Sequence, residues 1–179
     1  MKIFVITTDS TKGVNMLGHT HFREAMARLG AAVNIITTRG QAGDAGMTVS
    51  AVCSVTDDPA TLIVCINRSS RQHVVFKNAG IICINVLAPE QEELSGIFAG
   101  KDNLPMQERF ARASWYVLAT GALALEHAAA SLDCKVAQAV DVGTHTVFFC
   151  EVEAIELGVI NAGLVYHGRA YHHITHAGA

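Results

Sequence analysis

The feature that most constrains this chain is a long succession of short apolar runs, rich in β-branched residues and joined by links of hairpin length. Residues 32–38, 47–56, 61–67 and 81–86 read as strands, followed by 115–118, 130–142, 146–157, 164–166 and 171–174. The regular βαβ alternation of a doubly wound sheet is missing. Helical periodicity is confined to a few places. Phe22, Ala25, Met26 and Leu29 fall at i, i+3, i+4 and i+7, and Gly30 stops that helix. Further helices are predicted over 69–78, 89–98 and 105–111. Residues 39–46 read as a glycine-rich turn, and Asp57-Asp58-Pro59 as another. The pattern predicts a mostly β fold with helical decoration, an antiparallel barrel.

A chain of 179 residues suits one domain. Half of it is hydrophobic and 16% is charged, the reverse of a disordered composition. Thirteen basic against 16 acidic residues leave a formal charge of −3, which argues against a nucleic-acid partner. No apolar run approaches the ~18 residues of a membrane span. The apolar patch after Met1 is too short for a signal peptide, and residues 1–18 read as an extension to a domain over 19–176. Five cysteines, odd in number and without C-x-x-C spacing, read as buried thiols of a cytoplasmic protein and give no zinc site.

Hydrolase signatures are absent: there is no G-x-S-x-G, H-E-x-x-H or P-loop. The glycines at 40, 43 and 46 do not have the G-x-G-x-x-G spacing of a dinucleotide fingerprint. The richest segment is Gly46-Met47-Thr48-Val49-Ser50-Ala51-Val52-Cys53-Ser54-Val55-Thr56. As a strand it places Thr48, Ser50, Val52 and Ser54 on one face. Such a face can hydrogen-bond the edge of a flat polar ligand, or it can simply be a half-exposed polar surface. Asn67-Arg68-Ser69-Ser70 sits where an apolar strand gives way to a helix, which suits a phosphate and equally suits ordinary capping. Lys101 after Gly100 reads as a solvated loop lysine. His145, in the tight link Gly143-Thr144-His145, either is exposed or contacts an aromatic ring. The histidines at 167, 172 and 173 do not form a metal site, because adjacent residues of a strand face opposite ways.

Taken in order, several segments resemble the short-chain flavin reductase family. These are the reductase components of two-component flavin monooxygenases, of the 4-hydroxyphenylacetate 3-monooxygenase reductase type. The resemblance rests on Phe22-Arg23-x-Ala25-Met26, Val33-x-Ile35-Ile36-Thr37-Thr38, the segment 46–56 with Pro59, and Cys65-Ile66-Asn67-Arg68-Ser69. It continues through Asn85-Val86-Leu87, Phe98-Ala99-Gly100-Lys101, Arg109-Phe110, and Gly143-Thr144-His145 with Phe148 and Val152. The resemblance implies an FMN-binding split β-barrel, antiparallel and Greek-key, that works as a homodimer. It implies FMN or FAD as flavin, NADH or NADPH as hydride donor, and diffusive transfer of reduced flavin to a partner oxygenase. By the same resemblance Thr48, Val49, Ser50 and Ala51 line the flavin ring. Ser54, Val55, Asn67, Arg68, Ser69 and Ser70, with Gly100 and Lys101, reach the ribityl chain and phosphate. His145 is the catalytic residue beside the nicotinamide, with Arg169 and Tyr171 near the flavin or pyridine nucleotide. Many members carry Asp where this chain has Thr144. The nearest alternatives are a cob(II)yrinate (corrinoid) reductase, the reductase of pyrimidine-ring degradation, and a non-catalytic flavin- or haem-binding split barrel.

Overall fold

Buried Leu62, Val64 and Ile66 alternate with half-buried Thr61, Ile63 and Cys65, the period-2 pattern of a strand with one face on a core. That alternation recurs through the computed structural model, which describes residues 18–41, 43–159 and 162–175. The elements in order are α1 (His19–Ala27), β1 (Ala31–Ala32), β2 (Asn34–Gly40), β3 (Gly43–Val49), β4 (Val52–Asp57), β5 (Ala60–Asn67), α2 (His73–Ala79) and β6 (Ile81–Val86). After a short 3-10 turn (Pro89–Gln91) come α3 (Glu92–Ala99), α4 (Met106–Phe110), β7 (Trp115–Val117) and β8 (Leu123–Leu125). The long hairpin of β9 (Ala130–Val142) and β10 (His145–Leu157) follows, then β11 (Ala162–His167) and β12 (Ala170–Thr175).

Seven strands form one antiparallel sheet in the order β3-β2-β6-β9-β10-β5-β4. Its two outermost strands, β3 and β4, are consecutive in the chain, with only Ser50 and Ala51 between them. Laid flat, six spacings of about 4.8 Å would hold those edges about 29 Å apart. Three Cα steps, from Val49 to Val52, span at most about 11 Å. The sheet therefore curls until its edges meet, and the barrel is split along that seam. Backbone bonds fix the seam: Val52 N–H donates to the Ser50 carbonyl and Cys65 N–H to the Ala51 carbonyl, both at 3.0 Å. A second sheet, β1-β11-β12, joins the barrel through Val33, Leu87 and Leu164, whose backbones bond one another at 2.9–3.0 Å.

One core fills the barrel around Ile36, Val64, Ile66, Phe76 and Phe148. A second lies between the sheet and α3, around Val33, Ile35, Leu87, Phe98 and Leu125. Phe98, Phe110 and Trp115 meet edge to face there, with ring centroids 5.0–5.7 Å apart. Gly46 lies directly beneath them; a Cβ on it would stand 2.7 Å from Phe98 Cε1 and 3.2 Å from Phe110 Cζ. Buried Asn85 ties the core to β8, accepting from Leu125 N–H and Ser131 Oγ at 2.8 Å and donating to the Ile35 carbonyl at 3.0 Å. Among the described residues, no helix is long and apolar enough to cross a membrane.

The fold is the mostly β, antiparallel split barrel that the sequence predicts. Three local expectations are corrected, and one strand had not been expected. Residues 39–46 are not a long turn: Arg39 pairs with Asp44 and Thr37 with Gly46, because glycine is what lets α3 and α4 lie on this hairpin. Residues 47–56 are two strands, broken at Ser50 and Ala51 by barrel closure. The helix predicted over 69–78 begins at His73, since Asn67 Oδ1 and Ser70 Oγ draw the preceding backbone into turns. Finally, β8 had no strand signal, its three residues being flanked by Gly121 and His127. The extension over 1–18 lies outside the described residues except for Gly18.

Two outcomes test this packing. Gly46→Ala forces a methyl against the buried Phe98 ring and is expected to lower stability by about 1–3 kcal/mol. The reading is a lower urea midpoint at unchanged slope; an unmoved midpoint contradicts the close approach. Burial pushes the Cys150 thiol up to about 12 and also raises those of Cys83 and Cys134. A thiol reagent at pH 8 should therefore label exposed Cys53, and more slowly Cys65, in the native protein. The other three should react only after denaturation; labelling of all five in the native state contradicts the buried placement.

Candidate functional site

The seam leaves a cleft of about 360 Å³ over the end of β3. Thr48, Val49 and Ser50 line it on the barrel side, and Tyr166, Arg169 and Tyr171 from the β11–β12 hairpin line it on the other. The two tyrosines are cross-strand partners with rings edge to face, 5.2 Å between centroids. The cleft is organised from beneath by Ser95, which is fully buried on α3. Its carbonyl accepts a hydrogen bond from Thr48 Oγ1 at 2.6 Å, and its hydroxyl meets Tyr171 OH at 2.9 Å. Because the Thr48 proton is committed to that carbonyl, the hydroxyl has only acceptor capacity left to offer the cleft.

A second polar group gathers where β5 and β10 end. Register places His145 opposite Asn67. Asn67 Oδ1 accepts from both the N–H and the Oγ of Ser69 at 2.9 Å, and Ser70 N–H bonds the Asn67 carbonyl. Arg68 is steered by its N–H to the Thr144 carbonyl and by its guanidinium to Asp141 at 3.4 Å. The Asp141 carboxyl is held below the usual carboxylate range, first by the hydrogen bond from Thr146 Oγ1, then by Lys77 and Arg68. It therefore stays ionised at neutral pH as the orienter of Arg68. Thr146 in turn meets His73 Nε2 at 2.8 Å. His145 Nδ1 is engaged by Thr144 Oγ1 at 2.9 Å, so the ring has one nitrogen committed to its own loop.

Of the residues singled out from sequence, Thr48, Val49, Ser50, Arg169 and Tyr171 share the seam cleft. Ala51 continues from it and touches Cys65 of β5, two residues before Asn67. Asn67, Arg68, Ser69, Ser70 and His145 form the second group. Ser54 and Val55 lie exposed along β4, with Ser54 opposite Leu62. Gly100 and Lys101 do not join either group. They line an adjoining cavity of about 740 Å³ that meets the cleft at Ala99 and Tyr171. Sequence reasoning missed Ser95 and Tyr166. A signal for Tyr166 existed in the hairpin Tyr166-His167-Gly168-Arg169-Ala170-Tyr171, whose two-residue turn makes the tyrosines neighbours. Ser95 carried no such signal.

Among the described residues no cluster of three or more His, Cys, Asp or Glu could hold a metal. The residues present do fit a flavin. A cleft of this size, walled by small side chains and an aromatic pair, accepts part of a flat ring. Hydroxyls and an arginine two strands away supply phosphate donors.

Comparison with known proteins agrees with that fit. Residues 26–175 match the flavin reductase like domain. The chain is similar to the protein named FMN reductase (NADH) RutF of Variovorax paradoxus, 55% identical over 160 residues, which cover 89% of this chain and 88% of that protein. It superposes on a Haemophilus somnus protein solved as a candidate flavin reductase with TM-score 0.85 and 42% identity, covering 88% of this chain and all of that one. It also superposes on the styrene monooxygenase flavin reductase of Pseudomonas putida S12, with TM-score 0.75, 26% identity and coverage of 87% and 98%. Over residues 26–175, the greater part of its length, the chain belongs to the flavin reductase like domain family.

Proposed function

We propose that the protein is an NADH:flavin oxidoreductase that reduces FMN and releases it for a partner oxygenase. The observation that carries this is the seam cleft, with hydroxyl and backbone groups on one wall and a tyrosine pair on the other. The names borne by similar proteins favour FMN over FAD, NADH over NADPH, and a flavin over a corrinoid as acceptor.

When bound, flavin supplies a ring able to take a hydride, so the protein needs no nucleophile and no strong acid or base. Its task is to hold two flat rings face to face and keep water out. Thr48, Val49, Ser50 and Ala51 present small groups to the ring, with Thr48 fixed by Ser95 as an acceptor. Asn67, Arg68, Ser69 and Ser70 hold the phosphate, and Ser54 and Val55 flank the path along β4. Gly100 and Lys101 serve the ligand from the adjoining cavity rather than beside Asn67. His145, restrained at Nδ1 by Thr144, positions the pyridine ring from the β9–β10 turn.

The reductase acts as a homodimer in the cytoplasm. Support for the dimer is the apolar surface a single chain leaves bare: Phe22 and Met26 on α1, Leu29 just after it, and Ile155 and Leu157 on β10. Free thiols with no disulfide among them support a reducing compartment.

The test is the loss of NADH absorbance in air with catalytic protein and excess FMN. The expected result is rapid oxidation that needs both protein and free flavin; bound flavin without turnover contradicts the proposal. His145→Ala is expected to slow reduction about tenfold while leaving oxidised-FMN affinity within about twofold. Equal loss of both would make His145 a flavin ligand instead.

A further inference from the structure

The turn joining β11 to β12 is occupied by a residue that the backbone does not favour. His167 pairs with Ala170, leaving Gly168 and Arg169 as a two-residue loop, with φ +59° and +66°. Two-residue turns with both central residues at positive φ take Asn-Gly, Asp-Gly or Gly-Gly, because a side chain in the left-handed region crowds the carbonyl that follows. An arginine in the second position is strained. Its side chain is exposed and, among the described residues, makes no hydrogen bond or ion pair that would compensate. Strain held at one residue beside a cleft points to a use for that side chain.

Arg169 faces two spaces. One is the flavin cleft, where it is the lone charged residue of the lining. The other is a separate groove of about 350 Å³ between this turn and α1, lined by Glu24, Ala27, Arg28, Gly168 and Arg169. The groove is a fixed feature, since Gly168 N–H donates to the Ala27 carbonyl at 2.7 Å and locks the turn to the end of α1. Two guanidinium groups and one carboxylate leave it with a formal charge of +1. Guanidinium forks match phosphate oxygens bidentately, and Glu24 precedes Arg28 by one helical turn, where it can orient it.

We propose that this groove takes the diphosphate of the pyridine nucleotide, with Arg28 and Arg169 as its two phosphate partners. The assignment rests on the reading of the chain as an NADH-dependent reductase. The flavin's own phosphate has donors at the other end of the seam, around Asn67 and Ser69, which leaves Arg169 for the second anion that must enter. Joined to the cleft through Arg169, the groove lets a dinucleotide lie with its dihydropyridine ring inside and its diphosphate outside.

Three variants and two readouts test it. Arg28→Gln and Arg169→Gly should each raise the KM for NADH about tenfold, while in Arg28→Gln, which lies outside the cleft, the KM for 1-benzyl-1,4-dihydronicotinamide, which has no phosphate, moves less than twofold. Arg169→Lys keeps the charge and should stay within about threefold of wild type for NADH. Calorimetric binding of ADP-ribose to the flavin-free protein should weaken about tenfold in Arg28→Gln and Arg169→Gly. Flavin-free Arg169→Gly should melt no lower than wild type, since glycine adopts the turn without strain. An NADH KM within twofold of wild type in both Arg28→Gln and Arg169→Gly overturns the assignment, and so does undiminished ADP-ribose binding. A wild-type protein that fails to oxidise NADH refutes the reductase reading instead, and the ADP-ribose titration still decides the groove.

Discussion

The architecture depends on one covalent fact: the two edge strands of a seven-stranded sheet are consecutive, with two residues between them. Chain connectivity makes the sheet close, and closure puts the least regular backbone of the barrel, Ser50 and Ala51, at its rim. A seam of this kind cannot be fully laddered: the Ser50 and Ala51 carbonyls are taken by Val52 and Cys65, outside the regular strand pairing. The cleft is thus a by-product of how the barrel closes, in the way that functional residues collect wherever regular hydrogen bonding has to stop.

What turns a seam into a cleft is the layer behind it. Phe98, Phe110 and Trp115 press α3 and α4 onto the glycine of β3, so α3 approaches closely enough for the Ser95 carbonyl to take the Thr48 proton. The Ser95 hydroxyl then reaches across to Tyr171 of the second sheet. One buried serine couples both walls, and its carbonyl and hydroxyl both find partners that would otherwise be unsatisfied in an apolar layer. The cluster at Asn67–Ser70 is organised differently. There an ionised Asp141, bonded to Thr146 and flanked by two cations, sets the direction of Arg68 at the surface. The cleft is rigid because it is packed, and the Asn67–Ser70 cluster is directed by charge.

Much of this was legible in the chain. The strand over 81–86 reads correctly to the residue because both its faces are buried and it is apolar at every position but Asn85. The hydroxyl ladder of 48–54 and the cluster 67–70 are visible as residue types, and both fall where a ligand can be held. The break at Ser50 was not legible, since nothing in a continuous β-forming run reports that a sheet closes there. The strand over 43–49 was hidden by its own glycines, which local rules read as a turn and which tertiary contact with Phe98 explains. Ser95 was invisible because its partners lie 47 and 76 residues away in sequence. Local pattern thus marks the polar residues that gather around the cleft, and long-range packing decides which of them are held still.

The most direct measurement is a crystal structure of the FMN complex. The account predicts the flavin ring in van der Waals contact with Thr48, Val49, Ser50 and Ala51, and the phosphate hydrogen-bonded by Asn67, Arg68, Ser69 or Ser70. Flavin seated away from the seam, or reversed with its phosphate beside Tyr171, would contradict it.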